Sequence, residues 1–156
     1  MRVLIISDSH GKTDEIGRLK AKEGRFDLII HCGDGNGDFN YISDVFDCKV
    51  IGVKGNCDLF SSEPKALNHV IEGKVIHIEH GNALPIYSDL SLLSFAEDNG
   101  YDVVLYGHTH IQKMLSQNGR FVVNPGSISR PRDGYPSYTV LKTDGRGGFS
   151  FENKRM

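Results

Sequence analysis

The stretch Val3-Leu4-Ile5-Ile6-Ser7-Asp8-Ser9-His10-Gly11 decides the reading of this chain: a short apolar run stops at a cluster of carboxylate, imidazole and glycine. The pattern recurs. Leu28-Ile29-Ile30 runs into His31-Cys32-Gly33-Asp34-Gly35, and Val50-Ile51-Gly52-Val53 leads through Lys54 to Gly55-Asn56-Cys57-Asp58. Val75-Ile76-His77-Ile78 ends in Glu79-His80-Gly81-Asn82, and Val103-Val104-Leu105-Tyr106 ends in Gly107-His108-Thr109-His110. Such runs, rich in β-branched residues and bounded by glycine and polar clusters, predict buried strands. Each delivers Asp, Asn or His to its C-terminal edge, where open α/β sheets bind ligands.

Between the runs the spacing predicts helices. One covers Thr13 to Lys22 with Ile16 and Leu19 inward, and one carries Phe39, Ile42 and Phe46. A third carries Leu90, Leu93 and Ala96 inward behind Ser88 as N-cap. The second half is richer in hairpins. Glu72-Gly73 separates Leu67–Ile71 from Lys74–Ile78, Asn118-Gly119 separates Lys113–Gln117 from Arg120–Val123, and Tyr138–Leu141 pairs with Phe149–Phe151. The mixture predicts an α/β fold of two packed sheets with helices outside, in one domain over residues 1–156.

The 156 residues carry 18 Lys+Arg against 20 Asp+Glu, a net charge of −2 that disfavours a protein living by phosphate neutralisation. No basic stripe interleaved with aromatics is visible, so no nucleic-acid partner is expected. No apolar run approaches the roughly 20 residues that span a bilayer, so no membrane partner is expected either. The N-terminus does not read as a signal peptide. Three cysteines without a C-x-x-C pair speak against a disulfide framework and for a reducing compartment, which predicts a cytoplasmic protein.

Seven polar residues remain at the strand ends: Asp8, His10, Asp34, Asn56, His80, His108 and His110. Successive clusters lie 26 (8 to 34), 22 (34 to 56), 24 (56 to 80) and 28 (80 to 108) residues apart, about one strand–helix–strand unit each. His108 and His110, alternate residues of an extended segment, would point the same way. Carboxylate, amide and imidazole together suit divalent ions such as Mn²⁺, Fe²⁺ or Zn²⁺. Seven donors exceed one tetrahedral ion and suit two ions sharing a carboxylate, the recurring device for phosphoester hydrolysis.

Asp8-x-His10, Gly33-Asp34, Gly55-Asn56-Cys57-Asp58, His80-Gly81 and Gly107-His108-Thr109-His110, in that order, resemble the five blocks of the calcineurin-like metallophosphoesterases. With Asn124-Pro125-Gly126-Ser127, the chain is similar to the small phosphodiesterases of that superfamily from Met1 to about Arg132. The resemblance implies a four-layer α/β/β/α sandwich and a dinuclear centre, with manganese the first choice of metal and iron, zinc or nickel also accommodated. It implies one ion on Asp8, His10, Asp34 and His110 and another on Asp34, Asn56, His80 and His108, with Asp34 bridging. The reaction implied is in-line attack by a metal-bridging hydroxide on a small soluble phosphoester, a phosphodiester first. Asp34, Asn56, His80 and Cys57 then carry catalysis. Cys57 stands where many members have a histidine that assists the leaving group, and a thiol with a pKa of about 8.5 is a poor substitute acid.

Substrate contacts are expected at Asn36, Asn56 and Arg130, with Asn36 equally well a left-handed turn residue, while a solvated loop is the commoner fate of arginines such as Arg130 and Arg132. His31, His69 and His77 read as structural or solvated histidines, Cys32 and Cys48 as small buried residues. Asn124–Ser127 reads as a structural turn hydrogen-bonded to the His108–His110 loop. Two other functions compete: an interaction scaffold with a vestigial metal site, as in a subunit of the eukaryotic retromer coat, and a nuclease. The hairpin edges would also allow a homo-oligomer.

Overall fold

In the computed structural model, which describes residues 1–35 and 37–156, the apolar runs form strands buried on both faces. The order is β1 (Arg2–Ile6), α1 (Thr13–Glu23), β2 (Leu28–His31), α2 (Phe39–Phe46), β3 (Val50–Gly52), β4 (Ala66–Ile71), β5 (Lys74–Glu79), α3 (Asp89–Asp98), β6 (Val103–Leu105), β7 (Gln112–Gln117), β8 (Arg120–Pro125), β9 (Ser137–Thr143) and β10 (Phe149–Arg155). The strands make two five-stranded sheets, β10-β9-β1-β2-β3 and β4-β5-β6-β8-β7.

Alternation along β1 and β2 builds the layers, because successive side chains of a strand face opposite ways. Val3, Ile5, Leu28 and Ile30 face the second sheet and meet Ile76, Ile78, Val103 and Leu105 there. Leu4, Ile6 and Ile29 face outward onto Ile16 and Leu19 of α1 and Ile42 and Phe46 of α2. On the far side, Leu92 and Ala96 of α3 pack on Val104, Tyr106 and Val122. The result is the four-layer α/β/β/α sandwich. Among the described residues no helix is long and apolar enough to cross a membrane.

The hairpin expected around Glu72-Gly73 is present as β4–β5; it fills the interval between Asn56 and His80, where the chain changes sheets, so that interval is not the strand–helix–strand unit its length suggested. One helix face is also corrected. The inward face of α3 is Leu92 and Ala96, with Leu93 partly buried, whereas Leu90 is 69% exposed. Ser88 caps the helix as expected, its hydroxyl accepting the Ser91 N–H at 3.1 Å. The chosen stripe is the one that reaches the second sheet, with Phe95 beside it against the Tyr101 and His77 rings.

Parallel pairing of β1, β2 and β3, and of β5 and β6, puts the C-terminal ends of all five polar-tipped strands at one rim. Strand β9 lies antiparallel beside β1, so the end of the chain closes on its beginning. The α3 packing gives a direct test. Leu92→Ala is expected to cost about 2–5 kcal/mol in urea unfolding, and Leu90→Ala to stay within about 0.5 kcal/mol of the parent.

Candidate metal centre

The donors converge because the chain kinks as each strand ends. Asp8, His10, Asp34, His108 and His110 have φ of 55°, 48°, 55°, 65° and 59°, the left-handed region that non-glycine residues rarely enter. His108-x-His110 is therefore not the extended segment that alternation suggested: Thr109 N–H turns back to the Gly107 carbonyl at 2.7 Å. Long-range backbone bonds hold the kinks. Asp8 N–H donates to Gly33 C=O and His10 N–H to Asp34 C=O, each at 3.0 Å, and Gly107 N–H donates to His80 C=O at 2.9 Å. Close approach also demands glycine: a Cβ at Gly55 would overlap Asp34 Oδ1, and one at Gly107 would overlap Ser7 Oγ and crowd Asp8.

The distances suit shared ions. With metal–ligand bonds of about 2.0–2.2 Å, two donors on one ion lie no more than about 4.4 Å apart. His110 Nε2 lies 3.1 Å from Asp8 Oδ1 and 3.5 Å from His10 Nε2, and His10 Nε2 lies 3.9 Å from Asp8 Oδ1. Asp34 Oδ2 lies between two histidines, 4.0 Å from His10 Nε2 and 3.4 Å from His80 Nε2. Asn56 Oδ1 faces His108 Nδ1 at 3.0 Å. Rings and carboxylates are oriented from behind. His80 Nδ1 donates to Cys32 C=O at 2.8 Å and His110 Nδ1 to Arg130 C=O at 2.6 Å, which leaves each Nε2 lone pair facing the cluster. Cys57 N–H holds Asp34 Oδ1 at 2.8 Å, and His108 N–H holds Asp8 Oδ2 at 3.1 Å. Asp8 Oδ1 and His80 Nε2 are buried and make no hydrogen bond among the described residues, their neighbours being close but poorly aligned. Such orphaned atoms are costly unless something binds them, so the donor set fits divalent ions.

The electrostatics are mutual. Burial favours the protonated Asp34, but the His80 ring and the Cys57 N–H outweigh it and hold the carboxyl well below its usual range. Burial opposes charge on His80, yet Asp34 and Asp8 push its pKa up, and the Asp8 carboxylate does the same for His110. His10 is lowered by burial and then by the Arg130 charge, and His108 by burial and then by His80. Arg130 thus stands close enough to bear on the cluster. Asn36 lies outside the described residues. Cys57 is exposed, with Sγ within 4.8 Å of donor atoms of His10 and Asp34. Its thiol is pushed up by the hydrogen bond to Asp34 and then by burial.

Supporting residues also emerge. Asn124 Nδ2 donates to Gly107 C=O at 2.7 Å and Thr109 Oγ1 at 3.0 Å, the structural role expected of that turn. Ser127 Oγ and Ser129 Oγ both donate to Asp8 C=O, at 2.9 and 2.8 Å, so Ser127 braces the Asp8 loop and not the His108–His110 loop expected from sequence, and Ser129 is a support the sequence did not reveal. Asp58 Oδ2 accepts the N–H groups of Gly55 at 2.8 Å and Gly35 at 3.2 Å, joining two of the loops. The presence of Asp58 in the Gly55-Asn56-Cys57-Asp58 block was the available signal. Behind them His31, buried as expected of a structural histidine, accepts the Gly33 N–H at Nδ1 and so donates from Nε2 to Ser9 Oγ at 3.0 Å. Ser9 Oγ in turn donates a hydrogen bond to Asp38 Oδ2 at 2.7 Å. Cys48 is only half-buried.

Over residues 1–146 the chain matches the calcineurin-like phosphoesterase superfamily domain, and it belongs to that superfamily. Members bind divalent metals, and this chain carries candidate donors for them. It is 37% identical over 134 residues to "Probable metallophosphoesterase YsnB" of Bacillus subtilis (strain 168), covering 85% of this chain and 78% of that protein. It is 30% identical over 172 aligned positions to "Phosphodiesterase YfcE" of Escherichia coli (strain K12), covering 92% of this chain and 89% of the relative. In fold it is similar to Vps29 of Entamoeba histolytica, solved with zinc: TM-score 0.76, 20% identity, 99% of each chain covered.

The His31 relay predicts a pH effect. Burial brings the imidazole down to about 4, and a proton at Nδ1 would face the Gly33 N–H. Between about pH 6.5 and 4 the unfolded chain therefore binds the proton that the folded one refuses, so stability falls as pH falls, by up to roughly 1.4 kcal/mol per pH unit. His31→Gln, which keeps a donor for Ser9, should flatten that slope in urea titrations of the metal-free protein; equal slopes would contradict the relay.

Proposed function

We propose that the chain is a phosphodiesterase in which Asp8, His10, Asp34 and His110 hold one divalent ion and Asp34, Asn56, His80 and His108 hold a second. Asp34 Oδ2, with a histidine Nε2 on either side and its other oxygen fixed by Cys57 N–H, is the observation that carries this reading. The substrate is a small soluble phosphoester and manganese the preferred metal. Two bound ions supply an acidified water and neutralise charge growing on the phosphoryl oxygens.

The chain's own groups do the positioning. The Cys32 carbonyl fixes the tautomer of His80, the Arg130 carbonyl fixes that of His110, and Asp58 ties the Asn56 loop to the Asp34 loop. Arg130 brings a fixed positive charge to the site, suited to a phosphate oxygen. Asn36 is placed among the substrate contacts on sequence grounds. Cys57 stays a thiol at neutral pH and is a weak proton donor, so substrates with good leaving groups are favoured. An interaction scaffold with a vestigial site is the second reading, which the similarity in fold to Vps29 favours.

Hydrolysis of bis-p-nitrophenyl phosphate with and without Mn²⁺ separates the two, since a scaffold shows no metal-dependent turnover. With saturating Mn²⁺, Asp34→Asn is expected to lose on the order of 10³-fold or more in kcat, because both ions lose their shared carboxylate. Asn56→Ala, which touches one ion, should lose only on the order of 10–100-fold. Comparable residual rates would refute the bridging role. Cys57→His should raise alkyl-ester turnover relative to aryl by about tenfold or more, below the 10²–10⁴-fold ceiling of general acid catalysis. An unchanged ratio at equal metal occupancy would take position 57 out of leaving-group chemistry.

A further inference from the structure

Next to the donor cluster lies a cavity of about 490 Å³, walled by the β3–β4 connection and the start of α2. Its volume falls in the roughly 300–1,000 Å³ of small-molecule sites. Cys57 belongs to both places: it lines the cavity, and its Sγ reaches to within 4.8 Å of donor atoms of His10 and Asp34. A substituent on a phosphorus atom seated at the donors would pass Cys57 to enter.

The lining says what would enter. Phe39 and Val53 supply apolar wall, and Leu59 and Phe60 stand at the cavity 80% and 101% exposed. The segment carrying them is held in place. Ser61 N–H donates to Asp58 C=O at 3.1 Å, Lys54 N–H to Pro64 C=O at 2.9 Å, and Glu63 N–H to Ser61 Oγ at 3.1 Å. Two adjacent large apolar side chains kept in water beside a cavity mark an interaction site. None of the described lining residues is Lys or Arg, whereas Asp58 and Glu63 add carboxylates. Lys54 Nζ is turned to the Ser61 carbonyl at 3.4 Å, so the described lining offers a second phosphate no cation of its own, whereas an uncharged ring would bury apolar area against Phe60.

We propose that this cavity receives one ester substituent of the substrate, an uncharged planar aromatic group, with Phe60 as the side chain that selects it. The inference rests on the phosphodiesterase reading only for its anchor, the phosphoryl group at the metal centre. A nucleobase and a plain aryl ring share the chemistry.

The test is calorimetric and needs no turnover. Phenylphosphonate and methylphosphonate are titrated into the Mn²⁺-loaded protein, each offering the same head group. Phenylphosphonate is expected to bind at least about tenfold more tightly. Phe60→Ala should remove about three- to tenfold of that preference and leave methylphosphonate unchanged, and Phe60→Trp should keep it. Phe60 is fully exposed, so neither variant disturbs the core. Equal binding of the two phosphonates, or a preference indifferent to Phe60→Ala, overturns the cavity proposal while leaving the metal-centre reading intact. Failure of both to bind overturns the anchor and the proposal with it. A matching preference for thymidine 5′-phosphate over deoxyribose 5-phosphate would identify the ring as a nucleobase, and its absence would identify a plain aryl group.

Discussion

Two buried carboxylates dominate this structure. Asp8 and Asp34 end adjacent parallel strands with almost no exposure, and their ion-pair neighbours among the described residues are imidazoles, with no lysine or arginine bridged to either. Burying one such charge is expensive and burying two near each other is worse, because the low local dielectric strengthens their repulsion. Backbone N–H groups of Cys57 and His108 take one oxygen of each. The remaining oxygens face histidine nitrogens, an arrangement that positive ions would complete and that no other group among the described residues does.

Holding the carboxylates there has a conformational cost. Five of the seven donors sit at left-handed φ, each worth on the order of 1–3 kcal/mol of strain, and stay because tertiary bonds leave them no alternative. The bonds come from every strand end around the rim, and the segment 124–130 braces both the Asp8 loop and the His108–His110 loop from behind. His31, Ser9 and Asp38 perform the same service on the other flank. The rigidity of the rim is thus distributed: no single loop could keep its donor in place alone. The neighbouring β3–β4 connection, by contrast, uses its ordered backbone to display apolar side chains, the division of labour that the two proposals above require.

The central strands were legible because β1, β2 and β6 are buried on both faces, so each is a short continuous apolar run that contrasts locally with its polar tip. The donor set was legible for the same reason: Asp34, His80 and His108 each follow such a run beside a glycine, and Asp8 follows one three residues before Gly11. The inward face of α3 was not, since Leu90, Leu92 and Leu93 offer competing stripes and only the position of the second sheet chooses among them.

What the sequence by itself determined is therefore local: which segments are strands, which residue types stand at their ends, and that those types can bind divalent ions. Only the tertiary structure decided that β9 closes on β1, and that the chain changes sheets between Asn56 and His80. It also decided that His108 and His110 converge through a kink, and that a cavity opens past Cys57. The physical reason is one of range. Apolar periodicity and turn chemistry act between neighbours and leave their mark on neighbouring residues. Strand partners, left-handed backbone at Asp and His, and empty space between a loop and a helix are imposed by contacts between residues far apart along the chain, which no local pattern records.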